Sequence, residues 1–334
     1  TTTKLREVIE KTLDFLPEKE KKDTIKKTCQ RTFQALRIDV NREFEVLYEF
    51  MEKLPGALKP GGRVAILTFH SGEDKLVKKA LKEGDFAFGV ATDGDADRVG
   101  VCLDTGEWLS AQNTILLLVD YLKRVKQMPG GIVKTSSVSD KVRSIFESPQ
   151  IPIYEVQVGF KYIADIMTTH SIAFGGEESG GFGYGMHIPE RDGIFSSLLL
   201  LEMLSASPYC KLSDYLEEKQ EKMGVICYDR IDMVYTQPDK NELLPWLHQN
   251  QPHEIAGFAI RKILPFLSSR NLVNGLKFIF EGDCRWLLIR SSETEDIIRF
   301  YAEGQTGEEV ATLLQYGQNL LFKVSGSISN LTKH

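Results

Sequence analysis

The spacing of apolar residues changes near residue 84 and divides the chain into a helical segment and a longer segment of alternating strands and helices. In residues 1–53, apolar side chains recur every three or four positions, which is the period of an amphipathic helix. These positions include Phe33, Leu36, Val40, Phe44 and Leu47. A turn rich in glycine and proline then precedes the apolar run 63–69, typical of a buried strand, and a helical pattern returns at 74–83.

Beyond residue 84, short apolar runs alternate between the strand and the helix type. Strands are predicted at 86–92, 99–103 and 132–135, and helices at 115–126 and 140–146. Such alternation is typical of an α/β protein, in which helices cover the faces of a sheet. Residues 223–322 read as strand, helix, strand, strand and helix, which predicts a small α+β unit. The polar residues 325–334 are expected to form a disordered tail.

Composition excludes several classes of protein. A chain of 334 residues, 42% of them hydrophobic, is long and apolar enough for two or three domains. Its formal charge of −6 creates no global positive field, so no nucleic-acid partner is expected. The five cysteines are scattered without the spacing of a zinc site or a disulfide framework, and the apolar runs are too short to span a bilayer. These features predict a cytoplasmic protein with no membrane partner.

Residues 93–98, Asp-Gly-Asp-Ala-Asp-Arg, form the first candidate site. Three carboxylates at alternate positions, separated by small residues, can surround one hard cation through oxygen ligands. A calcium EF-hand is excluded, because its sixth position should be glycine and is Arg98, and its twelfth should be glutamate and is Asp104. The alternative interpretation is an acidic turn that caps a hairpin.

Two further loops carry candidate binding groups. In residues 175–181, glycines allow close approach of a ligand, and Glu177 and Ser179 could bind paired sugar hydroxyls; a flexible surface turn is the alternative. Residues 290–294, Arg-Ser-Ser-Glu-Thr, are followed by Arg299. Arginine and hydroxyl groups on a strand and turn are the parts of a phosphate site, since guanidinium groups bind phosphate in bidentate fashion. Solvated arginines on a polar hairpin are the alternative there.

Taken in order, these loops resemble the phosphohexomutase family, the phosphoglucomutase/phosphomannomutase type, over residues 86 to 322. Residues 88–101 (FGVATDGDADRVGV) are similar to its metal loop, and 290–303 (RSSETEDIIRFYAE) to its phosphate-binding loop. Residues 175–181, followed by 187–193 (HIPERDG), resemble the sugar loop of its glucose/mannose branch, and 158–163 (VGFKYI) fit its third domain.

The resemblance implies a reaction and a role for each candidate residue. Asp93, Asp95 and Asp97 would bind Mg²⁺, and Arg98 would be catalytic, supporting the phosphoryl group in transfer. Substrate-binding residues would be Lys161, Glu177, Ser179, Arg290, Ser292, Thr294 and Arg299, the last four holding the phosphate that is not transferred. The family moves phosphate between hexose 1-phosphate and hexose 6-phosphate through an enzyme phosphoserine and a bisphosphate intermediate. The chain would therefore be an isomerase of the intramolecular phosphotransferase class.

The implied fold is α/β: mixed α/β layers of phosphohexomutase type and a small C-terminal α+β domain, preceded by a helical segment with a Rossmann-like strand–helix fragment. The expected divisions are a methyltransferase-like fragment at 1–84, a remnant of the second phosphohexomutase domain with the metal loop at 85–110, the third domain at 111–222, the phosphate-binding domain at 223–324 and the disordered tail at 325–334.

Two departures from the family pattern qualify this interpretation. The Ser-His-Asn type of loop that carries the family's phosphoserine is not found, so activity of this chain alone is in doubt and a separate phosphoserine-bearing domain is a candidate partner. The family's glycine and proline in the phosphate loop are Glu293 and Asp296 here. An inward carboxylate about 4 Å from a phosphate would cost about 1–4 kcal/mol. Because the phosphoserine loop is not found, a non-catalytic module that binds sugar phosphates is the first alternative function.

Residues 31–38 (RTFQALRI) and 58–79 (LKPGGRVAILTFHSGEDKLVKK) resemble a different family, the bacterial small-subunit ribosomal RNA cytosine methyltransferases, in their C-terminal part. The glycine-rich loop that such an enzyme needs for its cofactor is absent, so we expect a helical attachment that does not bind S-adenosylmethionine. An RNA-modifying protein is the second alternative function. The sequence does not distinguish glucose, mannose and glucosamine phosphates as substrates.

Overall fold

The chain divides into two units, Thr1–Asp85 and Phe86–His334. The computed structural model describes residues 2–57, 71–268, 271–293 and 295–331. The strand predicted at 63–69 lies outside these residues. Within the described residues, no helix combines the length and the apolar character needed to cross a membrane.

The first unit is helical, as its apolar spacing predicts. Its helices are α1 (Thr2–Thr12), α2 (Glu18–Asn41), α3 (Glu43–Ala57) and α4 (Ser71–Glu83). Helix α2 ends at Arg42, whose left-handed backbone (φ 52°) turns the chain into α3 while its N–H donates to carbonyls of the last turn. Four described apolar side chains of this unit are buried: Ile9, Met51, Leu54 and Leu81.

The second unit begins with two sheets and five helices. The first sheet is an antiparallel meander of β1 (Phe88–Thr92), β2 (Val99–Leu103) and β3 (Trp108–Leu109). The second has the order β5-β4-β6-β7, in which β4, β5 and β6 are parallel and β7 is antiparallel. Its strands are β4 (Gly131–Thr135), β5 (Ile153–Val156), β6 (Ile172–Gly176) and β7 (Phe182–Tyr184). The helices are α5 (Ala111–Asp120), α6 (Lys141–Phe146), α7 (Phe160–Thr169), α8 (Gly193–Ser205) and α9 (Leu212–Met223).

Helix α5 is almost wholly buried, because nearly every residue from Gln112 to Asp120 packs against neighbours. It continues into a π-helical turn, Tyr121–Val125. Strands β4, β5 and β6 are joined by α6 and α7, as parallel strands require a crossover between them. The α/β layers predicted from the alternating pattern are therefore observed, and three of the four strands in this sheet are parallel.

A six-stranded antiparallel sheet of order β8-β13-β12-β11-β10-β9 completes the second unit. Its strands are β8 (Cys227–Val234), β9 (Glu254–Ile255), β10 (Phe258–Leu267), β11 (Val273–Phe280), β12 (Trp286–Ser291) and β13 (Ile297–Gly304). A 3₁₀ turn (Pro238–Asn241) and α10 (Leu243–Gln249) lie between β8 and β9, and α11 (Gly307–Leu331) follows β13.

Two expectations for this region are corrected. Three strands are predicted from the apolar pattern, whereas the described residues form six. Strands β8 and β10 alternate exposed and half-buried residues and therefore give weak apolar signals. Residues 325–331, expected in a disordered tail, continue α11, where Val324 and Ile328 pack into the core beneath the sheet.

The two faces of this sheet have different roles. One face packs Phe278, Leu287, Ile289 and Phe300 against α10 and α11. Because side chains alternate across a strand, the opposite face carries Trp286, Leu288 and Arg290 on β12, with Arg299 and Tyr301 facing them on β13. That second face is the one that reaches the α/β layers and the candidate site.

A buried cluster of charges joins the C-terminal sheet to the parallel sheet. Lys134 on β4 and Lys277 on β11 are fully buried. The Nζ atoms of Lys134 and Lys277 lie 2.8 and 3.1 Å from Asp140 Oδ1, and 3.2 and 2.9 Å from the two Glu155 carboxylate oxygens. Two cations and two anions thus share one site, and Lys277 also lies 4.4 Å from the centre of the Trp286 ring.

A second contact closes the same junction. The Glu303 carboxylate accepts hydrogen bonds from the Ser139 hydroxyl, from the Asp140 backbone N–H at 2.8 Å and from the Trp286 indole N–H at 2.5 Å. Burial raises the pKa of Glu303, although these donors act in the opposite direction. The contact fixes the C-terminal sheet on the start of α6.

Candidate functional site

The metal loop, residues 93–98, is the turn of the β1–β2 hairpin. Ala96 adopts a left-handed backbone (φ 58°), which alanine rarely does, and its N–H donates to Asp93 O at 3.1 Å. The Ala96 carbonyl accepts from Gly193 N–H at 2.9 Å, at the start of α8. A Cβ at Gly193 would lie 2.5 Å from Arg98 O, so only glycine lets the helix approach the loop this closely.

This tight turn brings the three predicted ligands together. Oxygens of Asp93, Asp95 and Asp97 all lie within 4.8 Å of one another. The Arg98 Nε donates to Asp93 Oδ2 at 2.6 Å, and the Arg98 backbone N–H donates to Asp93 Oδ1. Carboxylate oxygens at this separation fit the ligand set that Mg²⁺ prefers.

The electrostatics of the metal loop match an acidic cluster around a cation site. Burial raises the pKa of Asp97, and repulsion from Asp93 and Asp95 adds to it. Burial acts the same way on Asp93, but the hydrogen bonds from Arg98 outweigh it and lower the pKa. Asp97 Oδ1 is buried without a hydrogen-bond partner among the described residues, and such an oxygen fits a metal ligand.

The sugar loop, residues 175–181, pairs directly with the metal loop. It forms the turn between β6 and β7, closed by Glu177 N–H donating to Gly181 O at 3.0 Å. Val99 N–H donates to Gly180 O at 3.0 Å, and Arg98 forms a β-bridge with Gly181. Glycine is required at Gly180 for a reason other than ligand approach, since its φ is 89° and an added Cβ would lie 2.6 Å from Val99 O.

The two predicted sugar-loop residues differ in environment. Glu177 is buried, its Oε1 accepts from Gly159 N–H at 3.0 Å, and burial raises its pKa against the attraction of Arg191. Ser179 is exposed at the tip of the turn. Lys161, on α7 just after Gly159, is also exposed, with its ammonium group 4.7 Å from the Tyr162 ring centre.

Arg191 is a site residue that the sequence analysis did not single out. Its guanidinium lies 2.6 Å from Asp97 Oδ2 and 3.7 Å from Glu177 Oε2, so it bridges the metal and sugar loops. A Cβ at Gly181 would lie 2.4 Å from Arg191 Cδ, which explains the glycine there. The only sequence signal was its position in the 187–193 segment that follows the sugar loop.

The phosphate loop joins β12 to β13. Arg290 and Arg299 are direct neighbours across the two strands and lie on the same face. Ser292 N–H donates to Ile297 O at 3.1 Å, which closes the turn, and the Ser292 hydroxyl accepts from Glu295 N–H. Thr294, the remaining predicted phosphate ligand, lies outside the described residues.

Carboxylates and a lysine hold this loop. Arg299 pairs with Glu295 at 2.7 Å and with Asp232 on β8 at 3.4 Å. Lys240 Nζ donates to the carbonyls of Ser292 and Glu295, the first at 3.0 Å, and ties the loop to the 3₁₀ turn. Local sequence spacing gives no sign of this role for Lys240, since Lys240 lies 52 residues before Ser292 in the chain.

The position of the Glu293 side chain matters because an inward carboxylate is expected to weaken phosphate binding. Its side chain is exposed, and its Oε1 accepts a hydrogen bond from Asn274 Nδ2 at 2.9 Å. Together with Lys240, Ser291 and Ser292 it lines a cavity of about 180 Å³. Neither Arg290 nor Arg299 lines that cavity.

The sugar loop is also connected to the C-terminal sheet. Arg230 on β8 donates from Nη1 to both carboxylate oxygens of Glu178 at 3.4 Å, and its Nε lies 3.1 Å from Asp232 Oδ1. Asp232 in turn contacts Arg299. All three predicted loops therefore meet through charged side chains: metal to sugar through Arg191, and sugar to phosphate through Arg230.

Comparisons with known families agree with this arrangement. Residues 110–223 match the model for phosphoglucomutase/phosphomannomutase, alpha/beta/alpha domain III, and residues 250–316 match the model for the C-terminal domain of the same family. Residues 1–90 match the MraW methylase family.

Individual relatives give the same division. A protein assigned as a phosphoglucosamine mutase in Pyrococcus horikoshii is 27% identical over 257 residues, which are 76% of this chain and 52% of that protein. A crystal structure assigned as a phosphomannomutase of Thermus thermophilus superposes with a TM-score of 0.58 at 31% identity, over 75% of this chain and 50% of that one. Ribosomal RNA small subunit methyltransferase H 1 of Agathobacter rectalis is 81% identical over 97 residues, 29% of this chain and 28% of the relative.

The chain thus spans about half the length of these two mutase relatives and about a quarter of the methyltransferase. The predicted fold class, with α/β layers of phosphohexomutase type, is confirmed by the domain match and the superposition. The second unit belongs to the phosphoglucomutase/phosphomannomutase family of phosphohexomutases, and it is preceded by a segment similar to the ribosomal RNA methyltransferases of the MraW family.

Proposed function

We propose that the second unit binds Mg²⁺ and a hexose phosphate, and that it forms the metal-, sugar- and phosphate-binding part of a site for phosphoryl transfer between the 1- and 6-positions of the hexose. The observation that carries this proposal is the connection of three separate loops by Arg191 and Arg230. Acidic or arginine-rich turns that were unrelated to one another would not be expected to be linked by ion pairs in this way.

Each loop has a distinct task in this proposal. Arg290 and Arg299 hold the phosphate that is not transferred, because two guanidinium groups on one face can donate to several phosphate oxygens. Glu177 accepts a hydrogen bond from Gly159 N–H at Oε1 and accepts a second one from a sugar hydroxyl at its other carboxylate oxygen. Arg98 lies beside the metal loop, where it can neutralise the phosphoryl group in transfer. Mg²⁺, when bound by Asp93, Asp95 and Asp97, neutralises charge that develops on that group.

The first test of the proposal is metal binding. Calorimetric titration of the full chain with Mg²⁺ is expected to show one site, and Asp95→Ala is expected to weaken it by at least about tenfold, since one of three carboxylate ligands is lost. Asp165→Ala, an exposed carboxylate on α7, is the matched control and should leave the affinity unchanged. Equal Mg²⁺ affinity in the wild type and Asp95→Ala would exclude this site.

Turnover requires a group that gives and receives the phosphoryl group. These 334 residues contain no Ser-His-Asn sequence, so the proposal includes a phosphoserine-bearing domain, in another chain or in another part of a longer chain. The same observation favours a second candidate function, a module that binds sugar phosphates without chemistry.

A turnover assay separates the two functions. We expect no conversion of glucose 1-phosphate to glucose 6-phosphate by the 334-residue polypeptide, even with glucose 1,6-bisphosphate present. Conversion is expected to appear when the phosphoserine domain of a phosphohexomutase is added, and to disappear again with Asp95→Ala. Binding without conversion in the mixture would favour the non-catalytic module, whereas robust conversion by the polypeptide alone would imply an unrecognised phosphoryl carrier.

A further inference from the structure

A chain of ion pairs crosses from the sugar loop to the phosphate loop. It begins at Glu178, next to the sugar-binding Glu177, and passes to Arg230 at 3.4 Å. It continues from Arg230 Nε to Asp232 Oδ1 at 3.1 Å, and from Asp232 Oδ2 to Arg299 Nε at 3.4 Å. Arg230 contacts both Glu178 of the sugar loop and Asp232 of β8, and so links the loop to the sheet.

The burial of Glu178 distinguishes this chain from ordinary surface ion pairs, which contribute little. The Glu178 side chain is 19% exposed, while that of Arg230 is 42% exposed. Burial raises the pKa of Glu178, and the charge of Arg230 opposes that rise. A partly desolvated carboxylate that pairs with an arginine is sensitive to the position of that arginine.

The backbone around Glu178 transmits this constraint to the sugar loop. Glu177 N–H donates to Gly181 O, and Gly180 N–H donates to Glu177 O, so residues 177–181 form one closed turn. A displacement of Glu178 therefore moves the whole turn. On the other side, β8 is paired with β13 in continuous register from Cys227 to Val234, which fixes Arg230 and Asp232 relative to Arg299.

A hexose phosphate differs from free phosphate in how it uses these two loops. The sugar contacts one loop and the phosphate the other, so its affinity depends on their separation, as for any ligand that binds two linked sites. Inorganic phosphate contacts the phosphate loop alone and does not sense the separation.

We propose that Arg230 is a positioning residue that holds the sugar loop and the phosphate loop at a fixed separation, and thereby favours hexose phosphates over inorganic phosphate. This inference rests on the proposed binding of hexose phosphate by the second unit. Arg230 acts through Glu178 and Asp232 and does not itself bind the ligand.

The test compares two ligands on one set of variants. Arg230→Gln in the full chain is expected to weaken glucose 6-phosphate binding, measured by calorimetry with Mg²⁺ present, by about threefold to thirtyfold. Inorganic phosphate affinity is expected to change by less than about twofold, because its own ligands remain. Arg230→Lys, which keeps the charge, should recover part of the loss. Arg261→Gln removes an exposed arginine on β10 of the same sheet and serves as the control.

A double-mutant cycle tests the route through Glu178. Glu178→Gln should weaken glucose 6-phosphate binding as Arg230→Gln does, and the double variant should lose no more than either single variant, since both break the same link. Additive losses would overturn the proposed route. An equal loss for glucose 6-phosphate and inorganic phosphate in Arg230→Gln would make Arg230 a direct phosphate ligand and overturn the positioning role, as would no loss for either.

A ligand-free measurement keeps this role separate from the proposed function. Amide hydrogen exchange of residues 177–181 is expected to be faster in Arg230→Gln than in the wild type, and unchanged in Arg261→Gln. A wild type that binds no glucose 6-phosphate would count against the proposed function, while faster exchange would still assign Arg230 its positioning role. Unchanged exchange in Arg230→Gln would overturn that role whatever the ligand result.

Discussion

Replacement of Lys277 with methionine is expected to lower the free energy of unfolding of the second unit by about 3–5 kcal/mol, the usual effect of breaking a buried ion pair from one side. In this variant, two carboxylates, Asp140 and Glu155, face Lys134 as the one fully buried cation among the described residues of the cluster. Methionine fills a similar volume, so the loss reflects unbalanced charge more than an empty space.

Tryptophan fluorescence during urea unfolding is a suitable measurement, because all three tryptophans, Trp108, Trp246 and Trp286, lie in the second unit. Lys262→Met, at an exposed position on β10 of the same sheet, is the matched control and should change stability by no more than about 0.5 kcal/mol. If the two variants unfolded at the same urea concentration, the buried cluster would have no special role in stability.

The same cluster sets the response to acid. Burial would raise the pKa values of Asp140 and Glu155, but the two lysines outweigh it and hold both pKa values below their ordinary 3.8 and 4.5. A carboxylate with a lowered pKa in the folded state contributes stability above its ordinary pKa and loses it as the pH falls further. Lys277→Met removes part of that lowering and should therefore shift acid unfolding to higher pH; an unchanged acid midpoint would contradict this.

Arg299→Ala is expected to weaken hexose phosphate binding by about tenfold to a hundredfold, the range for hydrogen bonds to a charged group. The variant removes a proposed hydrogen-bond donor to the phosphate, leaves Glu295 without its arginine partner and takes from Asp232 one of its two arginine partners. The repulsion of those carboxylates adds to the loss. Calorimetry with glucose 6-phosphate measures the change.

Glu293→Gln is the matched control for this prediction. The Glu293 carboxylate is exposed and bound to Asn274, so its removal should improve the affinity by less than about threefold, a small effect typical of exposed charges. A gain of tenfold or more would mean that Glu293 reaches the phosphate after all, and an unchanged affinity in Arg299→Ala would remove Arg299 from the site.

The metal loop was the part of the site most open to prediction from sequence. Asp93, Asp95 and Asp97 are separated by single residues, so one turn of the chain decides whether their oxygens meet, and the small residues between them allow that turn. The two arginines of the phosphate loop were predictable for a similar reason, since a short hairpin places Arg290 opposite Arg299.

The connections between loops could not be predicted in this way. Asp232 contacts Arg299 although 67 residues separate them, because the register of β8 against β13 brings them together. That register depends on the pairing of the whole sheet, and β8 carries too few buried residues to reveal it. Arg191 and Arg230 were missed for the same reason: their roles follow from tertiary packing rather than from local spacing.

Strand β12 carries two residues on the same face: Trp286, which contacts Lys277 of the buried charge cluster, and Arg290 of the phosphate loop. At about 3.3 Å per residue the two lie about 13 Å apart, so a small rotation of the strand about the junction at Trp286 displaces Arg290. A rotation of about 5° at the junction would move Arg290 by about 1 Å, which is enough to lengthen a hydrogen bond of about 2.9 Å beyond its effective range. Substitutions at the junction are therefore expected to weaken phosphate binding at Arg290 even when every proposed ligand-binding residue remains unchanged.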